Sequence, residues 1–279
     1  MKYKRFEDLT ISDNYMFSAV FSDPYLTAQL ICRILPEEKL SPDEIIVKEK
    51  RIKTSYRSRS VIFDVYRKDD THLFDIEMQV EDNLYLMDRA VYYGSSMIVD
   101  SHEAGSGYEL KHKSYVIFIC AFDATHTGKR VEHLILQNDG RTVSSDKMHV
   151  IFVNCPVEGE DNEQLRPFAQ YVMNGRADED DPFVQEVNTA VELKRGNRKE
   201  QELYMEWQYE LDKAKAEGKA EGKAEGKAEG RAEGLEEGRR NALLSLYKKG
   251  RIDLNAVLEE TGFTEEELNK ALNEYLNDQ

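Results

Sequence analysis

Val61-Ile62-Phe63-Asp64-Val65-Tyr66 and Phe74-Asp75-Ile76-Glu77-Met78-Gln79-Val80-Glu81, separated by the polar link Lys68-Asp69-Asp70-Thr71, decide how this chain is read. The second stretch alternates strictly. Phe74, Ile76, Met78 and Val80 are apolar, while Asp75, Glu77, Gln79 and Glu81 are polar, the period of a strand with one buried and one acidic face. The link signals a hairpin. A tight turn at Asp70-Thr71 sets Asp64 opposite Glu77 on the same face. Directly opposed Cβ atoms stand roughly 4.5–5.5 Å apart, close enough for two carboxylates to share one hard cation.

Asp64 interrupts an apolar run, where an ionised carboxylate is costly to desolvate without a metal, a cation or several donors nearby. Spacing alone leaves two readings open: a cross-strand contact on an exposed face, or a metal site. The stretch Lys48 to Arg59 tilts the balance, because Lys48, Lys50, Arg51, Lys53, Arg57 and Arg59 stand there against one acid, Glu49. Phosphate contact suits such a segment. A charged edge strand that discourages aggregation explains it nearly as well.

The local basic segment matters because the whole chain is acidic. With 54 acidic and 38 basic residues its formal net charge is -16, which argues against strong non-specific adhesion to nucleic acid or anionic membrane. At 279 residues and 40% hydrophobic it has material for one sizeable core and a small appendage. Cys32, Cys120 and Cys155 show no metal-ligand or redox spacing and read as reduced core thiols. The N-terminus, Met1 to Phe17, has no apolar core, and the longest apolar run, Val116 to Phe122, is too short to span a membrane. These features lead to the expectation of a soluble, cytoplasmic protein without membrane contact.

Working outward from the hairpin, Tyr15 to Phe21 has helical spacing, and Asp23-Pro24 opens a helix to about Leu35. A charged, β-rich stretch surrounds Ile45 to Ile52. Leu84 to Val99 reads as a helix, followed by strands at Tyr115 to Phe122, Val131 to Leu136 and His149 to Val153. Helices are expected near Glu163 to Met173 and Pro182 to Leu193, with Asp178 to Asp181 as a solvated loop between them. This order describes an α/β domain over residues 1–195. Residues 196–240 form a charged helical or flexible linker carrying a KAEG repeat from Lys215 to Gly234. Lys lies beside Lys and Glu beside Glu at i,i+4, and each glycine costs roughly 1 kcal/mol relative to alanine in a helix. A solvated spacer is the plain reading, and a glycine ridge packed on a partner helix is the other.

Residues 241–279 regain helical patterning, with Thr264 and Glu267 in a capping-box arrangement. Three short helices with Thr261-Gly262-Phe263 at the second turn resemble a helix-turn-helix. Four basic residues against eight acidic ones favour protein contact, including a homo-oligomer through these helices, or simple capping over DNA reading. In Leu84 to Val99, Arg89, Tyr93 and Ser96 share one side. Arg89 reads either as a surface arginine or as a source of positive charge beside the acids. Asp13 reads either as a helix N-cap or as a further acid at a metal. None of the six histidines has a convincing ligand spacing.

Asp13-Asn14-Tyr15-Met16-Phe17 with Phe21, Phe63-Asp64-Val65, Asp75-Ile76-Glu77-Met78-Gln79, Arg89-Ala90-Val91-Tyr92-Tyr93 and Gly107-Tyr108-Glu109-Leu110, in this order and spacing, resemble the Rpn-type recombination-promoting nuclease/transposase family. The resemblance covers roughly residues 5–195, and glycine-rich KAEG-like tails with a leucine-rich helical end are similar as well. It implies a PD-(D/E)XK, restriction-endonuclease-like fold with a mixed sheet flanked by helices. It also implies a magnesium-dependent endonuclease, with manganese as the alternative ion, acting on DNA in recombination or DNA mobility. By position, Asp64 is the motif's aspartate, Glu77 its acidic partner and Gln79 stands in place of the usual lysine. A neutral amide orients water or accepts a hydrogen bond but offers no charge. Glutamine is frequent at this place in the family, so lost activity does not follow. A rival reading keeps the fold and dispenses with catalysis, leaving a DNA-tethering or assembly module. A three-acid RNase H-like transposase ranks lower, because no later acid stands in a clear helical motif.

Overall fold

The computed structural model describes residues 3–37, 46–47, 51–52, 61–62, 64–68, 70–102, 110–135, 137–138, 141–142, 146–158 and 162–277. Two compact units divide the chain, Met1–Trp207 and Gln208–Gln279. In the first, α1 (Asn14–Val20) and α2 (Pro24–Ile34) precede three two-residue strands, β1 (Ile46–Val47), β2 (Arg51–Ile52) and β3 (Val61–Ile62). Then come β4 (Val65–Lys68), β5 (His72–Gln79), α3 (Leu86–Ser101), β6 (Lys113–Cys120), β7 (Val131–Ile135), β8 (Gln137–Asn138), β9 (Arg141–Thr142) and β10 (Met148–Asn154). Helices α4 (Arg166–Asn174), α5 (Pro182–Arg195) and α6 (Arg198–Lys248) follow, the last shared by both units, and α7 (Leu254–Thr261) and α8 (Glu265–Asn277) complete the second.

A mixed sheet in the order β1-β4-β5-β6-β10-β7 forms the centre. Its β4–β5 hairpin pairs Val65 with Ile76, Tyr66 with Asp75 and Lys68 with Leu73, the register that a tight turn at Asp70-Thr71 requires. On the other side of β5, β6 and then β10 run parallel to it, which demands crossover connections. Helix α3 supplies the first of these.

The two faces of the sheet are both covered. Phe74, Ile76 and Met78 join Tyr115, Ile117 and Ile119 in a core closed by apolar residues of α1, α2, α4 and α5. Val116, Phe118 and Phe152 face the opposite way and meet Leu86, Ala90 and Met97 of α3. This corrects the expectation of an open acidic face, since Asp75, Glu77 and Gln79 are buried along with their apolar neighbours. The alternation marks which residues share a face, but α3 lies over the polar one. Gly94 permits a close approach, because a Cβ built there would come within 2.9 Å of Met148 Cε on β10.

Two further features depart from the sequence reading. Asp181 is no solvated loop acid: its carboxylate caps α5 through Val184 N–H and receives both terminal nitrogens of Arg33, at 2.8 and 3.0 Å. The first unit also extends past residue 195, because Tyr204 and Trp207 from the start of α6 pack against Tyr15, with centroids 5.0 and 5.8 Å away.

In the second unit, Leu244, Val257 and Leu268 form a small core. Gly262 ends α7 at φ +72°, a conformation that suits glycine. Thr264 and Glu267 form the expected capping box, Thr264 N–H donating to Glu267 Oε2 at 2.8 Å and Glu267 N–H to Thr264 Oγ1 at 3.3 Å. The KAEG repeat lies within α6 as helix. Nucleating a helix costs more than extending it, and the repeat sits between segments whose side chains pack at both ends, Tyr204 and Trp207 before it and Leu244 after it.

Candidate active site

Strand β5 sends Asp75, Glu77 and Gln79 to the α3 side of the sheet, and the hairpin brings Asp64 alongside. The Asp64 backbone N–H donates to Glu77 Oε1 at 3.0 Å, and the Met78 N–H donates to Asp64 Oδ2 at 3.2 Å. These two bonds lock the carboxylates to each other's strands. Arg89, one turn into α3, places its guanidinium over them: Nη1 donates to Gln79 Oε1 at 3.0 Å, and Nη2 lies 3.3 Å from both Glu77 Oε2 and the Tyr93 hydroxyl. The guanidinium carbon also sits 5.4 Å from the Tyr93 ring centre and 5.7 Å from that of Phe118.

The electrostatics are those of a site with too much negative charge. Burial, then repulsion from Glu77, pushes the Asp64 carboxyl well above its ordinary range. Asp75 is pushed up in the same direction by burial, then by Glu77 and Asp64. Glu77 rises through burial, which the Asp64 N–H and Arg89 only partly offset. Three carboxyls thus share one arginine, and the surplus favours either protons or a cation.

An all-oxygen donor set with surplus charge suits a hard divalent ion. Asp75 adds two enclosed oxygens that receive no hydrogen bond. No group of three or more His, Cys, Asp or Glu side chains is assembled for a metal among the described residues. Asp64 and Glu77 are the two carboxylates that hydrogen bonds hold side by side here. Two carboxylates are enough for magnesium, which retains several waters and takes further oxygens from substrate phosphate.

The structure brings Asp64, Glu77, Gln79 and Arg89 together as the sequence reading grouped them. It does not bring Asp13 to them. Asp13 accepts from Lys4 Nζ and from the Thr10 N–H at 2.8 Å, at the start of α1, which packs on the sheet face opposite Glu77. Its role is a local ion pair and turn. Lys48, Lys50, Lys53, Arg57 and Arg59 lie outside the described residues, and of Arg51 only the backbone, in β2, is described. Sequence reasoning missed Asp75, although it occupies the same alternation as Glu77, and it undervalued Tyr93, one helical turn from Arg89. It also missed that His133 Nε2 and His149 Nδ1 meet at 2.9 Å across β7 and β10.

No helix among the described residues is long and apolar enough to cross a membrane. No curated protein and no solved structure matches the chain. Residues 12–220 match the family described as PD-(D/E)XK nuclease family transposase, which spans the sheet, α3 and all four grouped residues. With the match covering most of its length, the chain belongs to the PD-(D/E)XK nuclease family transposases.

Proposed function

We propose that this protein is a magnesium- or manganese-dependent DNA endonuclease serving recombination or DNA mobility. The observation that carries the reading is the interlocked Asp64–Glu77 pair beneath Arg89, a surplus of buried carboxylate facing one fixed cation. Asp64 and Glu77 would hold the divalent ion. Bound there, such an ion lowers the pKa of a water and offsets charge on a phosphoryl oxygen. Gln79 accepts from Arg89 and so positions the guanidinium. Arg89 then contributes beside the scissile phosphate the positive charge that a motif lysine would carry. Tyr93 steadies the same guanidinium from the adjacent turn.

Purified protein is expected to nick supercoiled plasmid with magnesium or manganese and to stop on adding chelator. Asp64→Ala and Glu77→Ala variants that cleave as fast as the parent would overturn the assignment. A second reading, a non-catalytic DNA-tethering or assembly module, draws on the net charge of -16 and the missing lysine. It predicts no saturable magnesium binding that depends on Asp64 and Glu77.

A further inference from the structure

A row of rings crosses the sheet on the face turned away from α3. It runs from His72 and Phe74 of β5 through Tyr115 of β6 to His149 of β10 and His133 of β7. His149 stands opposite Tyr115, and the two rings stack at 4.4 Å with planes 10° apart. On its other side His149 lies diagonal to His133, which is paired with Ile151, and the two imidazoles are hydrogen-bonded, His133 Nε2 to His149 Nδ1 at 2.9 Å. His149 is buried and His133 is exposed.

The third contact fixes where the protons are. His149 Nε2 lies 2.7 Å from the Asp146 carbonyl oxygen, which can only accept, so Nε2 carries a hydrogen and donates it. A neutral His149 therefore presents a lone pair at Nδ1, and His133 Nε2–H donates to it. This arrangement tolerates a proton added to His133. It does not tolerate one added to His149, because two N–H groups would then point at each other, and the Tyr115 stack holds the ring against turning away. The charged groups facing His149 are His133 from β7, Lys113 from β6 and Asp146 just ahead of β10. Burial first, then repulsion from His133 and Lys113, holds the His149 imidazole below its ordinary value, against the pull of the Asp146 carbonyl and carboxylate.

The pair joins the last two strands of the sheet. β7 lies at the edge, is five residues long, and pairs with β10 alone among the described residues. We propose that the His133–His149 hydrogen bond is an acid-sensitive latch that holds the edge strand β7 onto β10. Its contribution is complete above about 6.5, the unfolded-state value of a histidine, and is lost as pH falls below this toward the lower folded value. Double protonation replaces a hydrogen bond by a repulsion, and a short edge strand opens locally before the sheet does. The latch is independent of any reading of Asp64 and Glu77.

The test is hydrogen exchange in the full chain from about pH 7.5 to about pH 5, the range in which histidine changes charge, corrected for intrinsic exchange. Opening of β7 is expected to rise about tenfold more than that of α5, the equivalent of one hydrogen bond near a charge. In His133→Gln this excess should vanish. The glutamine amide can donate to a neutral His149 Nδ1 or turn its oxygen to accept from a protonated one, and it adds no charge. Equal acid-driven opening in parent and variant overturns the latch, as does a parent whose β7 opens no more than α5. Should His133→Gln fail to fold, nitrogen NMR of the parent's imidazoles decides. A His149 that keeps its hydrogen on Nε2 and takes its second proton only after His133 supports the latch, and a His149 that protonates first overturns it.

Discussion

Arg89 Nη1 donates to the Gln79 amide oxygen at 3.0 Å, so Gln79 holds a cation from the neighbouring helix over the acidic face of β5. A lysine at position 79 would carry its own charge, lose the acceptor that holds Arg89, and repel the guanidinium. On the proposed reading, the charge needed near a bound phosphate is divided between two elements of the fold.

This division makes Arg89 and Gln79 interdependent. Arg89→Ala should lower single-turnover plasmid nicking by about 10²–10³-fold, the usual cost of removing one group that stabilises developing charge. Arg89→Lys should fall between, because lysine lacks the planar fork that reaches two acceptors. In a Gln79→Lys background, removing Arg89 should cost much less, and Gln79→Lys alone should raise the rate only modestly. Equal losses from Arg89→Ala in both backgrounds would show that the two residues do not share this task.

The crowded acids predict a trade between stability and function. In metal-free buffer Asp64→Asn should raise stability by about 0.5–2 kcal/mol, because it removes a buried carboxyl whose ionisation burial and Glu77 oppose and keeps an oxygen to accept from Met78. For a domain of this size that corresponds to about 2–4 °C in melting temperature per kcal/mol. Added manganese should then stabilise the parent but not the variant. A variant that melts below the parent without metal contradicts the account.

Asp181 carries a separate pH dependence. Partial burial works to raise its carboxyl, but the hydrogen bonds from Arg33 and from the Val184 N–H outweigh it and hold the group below its ordinary value. A depressed native value means that the stabilisation is fully present above the unfolded-state value, about 4, and is lost as pH falls through the folded value. Asp181→Ala, which removes cap and ion pair together, should cost about 2–3 kcal/mol near neutral pH in urea unfolding. The gap between parent and variant should narrow toward pH 3. A gap independent of pH would show that the cost is one of packing alone.

The domain edge can be tested by truncation. A chain ending after residue 195 should melt lower than one ending after residue 212, since only the longer retains Tyr204 and Trp207 against Tyr15. In the full chain, limited proteolysis should cut first between Asp212 and Arg240. Replacing Gly222, Gly226 and Gly230 by alanine should slow that cut. Nothing lies within 4 Å of a Cβ built at any of the three, and alanine favours the helix by about 1 kcal/mol at each. First cleavage elsewhere, or no change on substitution, would contradict this.

Local pattern carried much of this molecule. Alternation along β5 and the short polar link were enough to set Asp64 beside Glu77, because side chains in a strand change face at every residue and a tight turn permits one register. The Asp23-Pro24 start of α2 and the Thr264–Glu267 capping box were equally readable, since each is closed within a few residues. Other features depend on segments that meet across long separations. No period in β5 says that α3 will cover the acidic face, yet that covering buries Asp75 without donors and lays Arg89 over Gln79. Asp13 read as a helix N-cap or a metal acid and Asp181 as a loop acid, and their partners were settled only when the fold brought Lys4 to one and Arg33, far upstream, to the other. Side-chain parity is a property of a strand alone, whereas desolvation and charge pairing depend on which layer arrives above it.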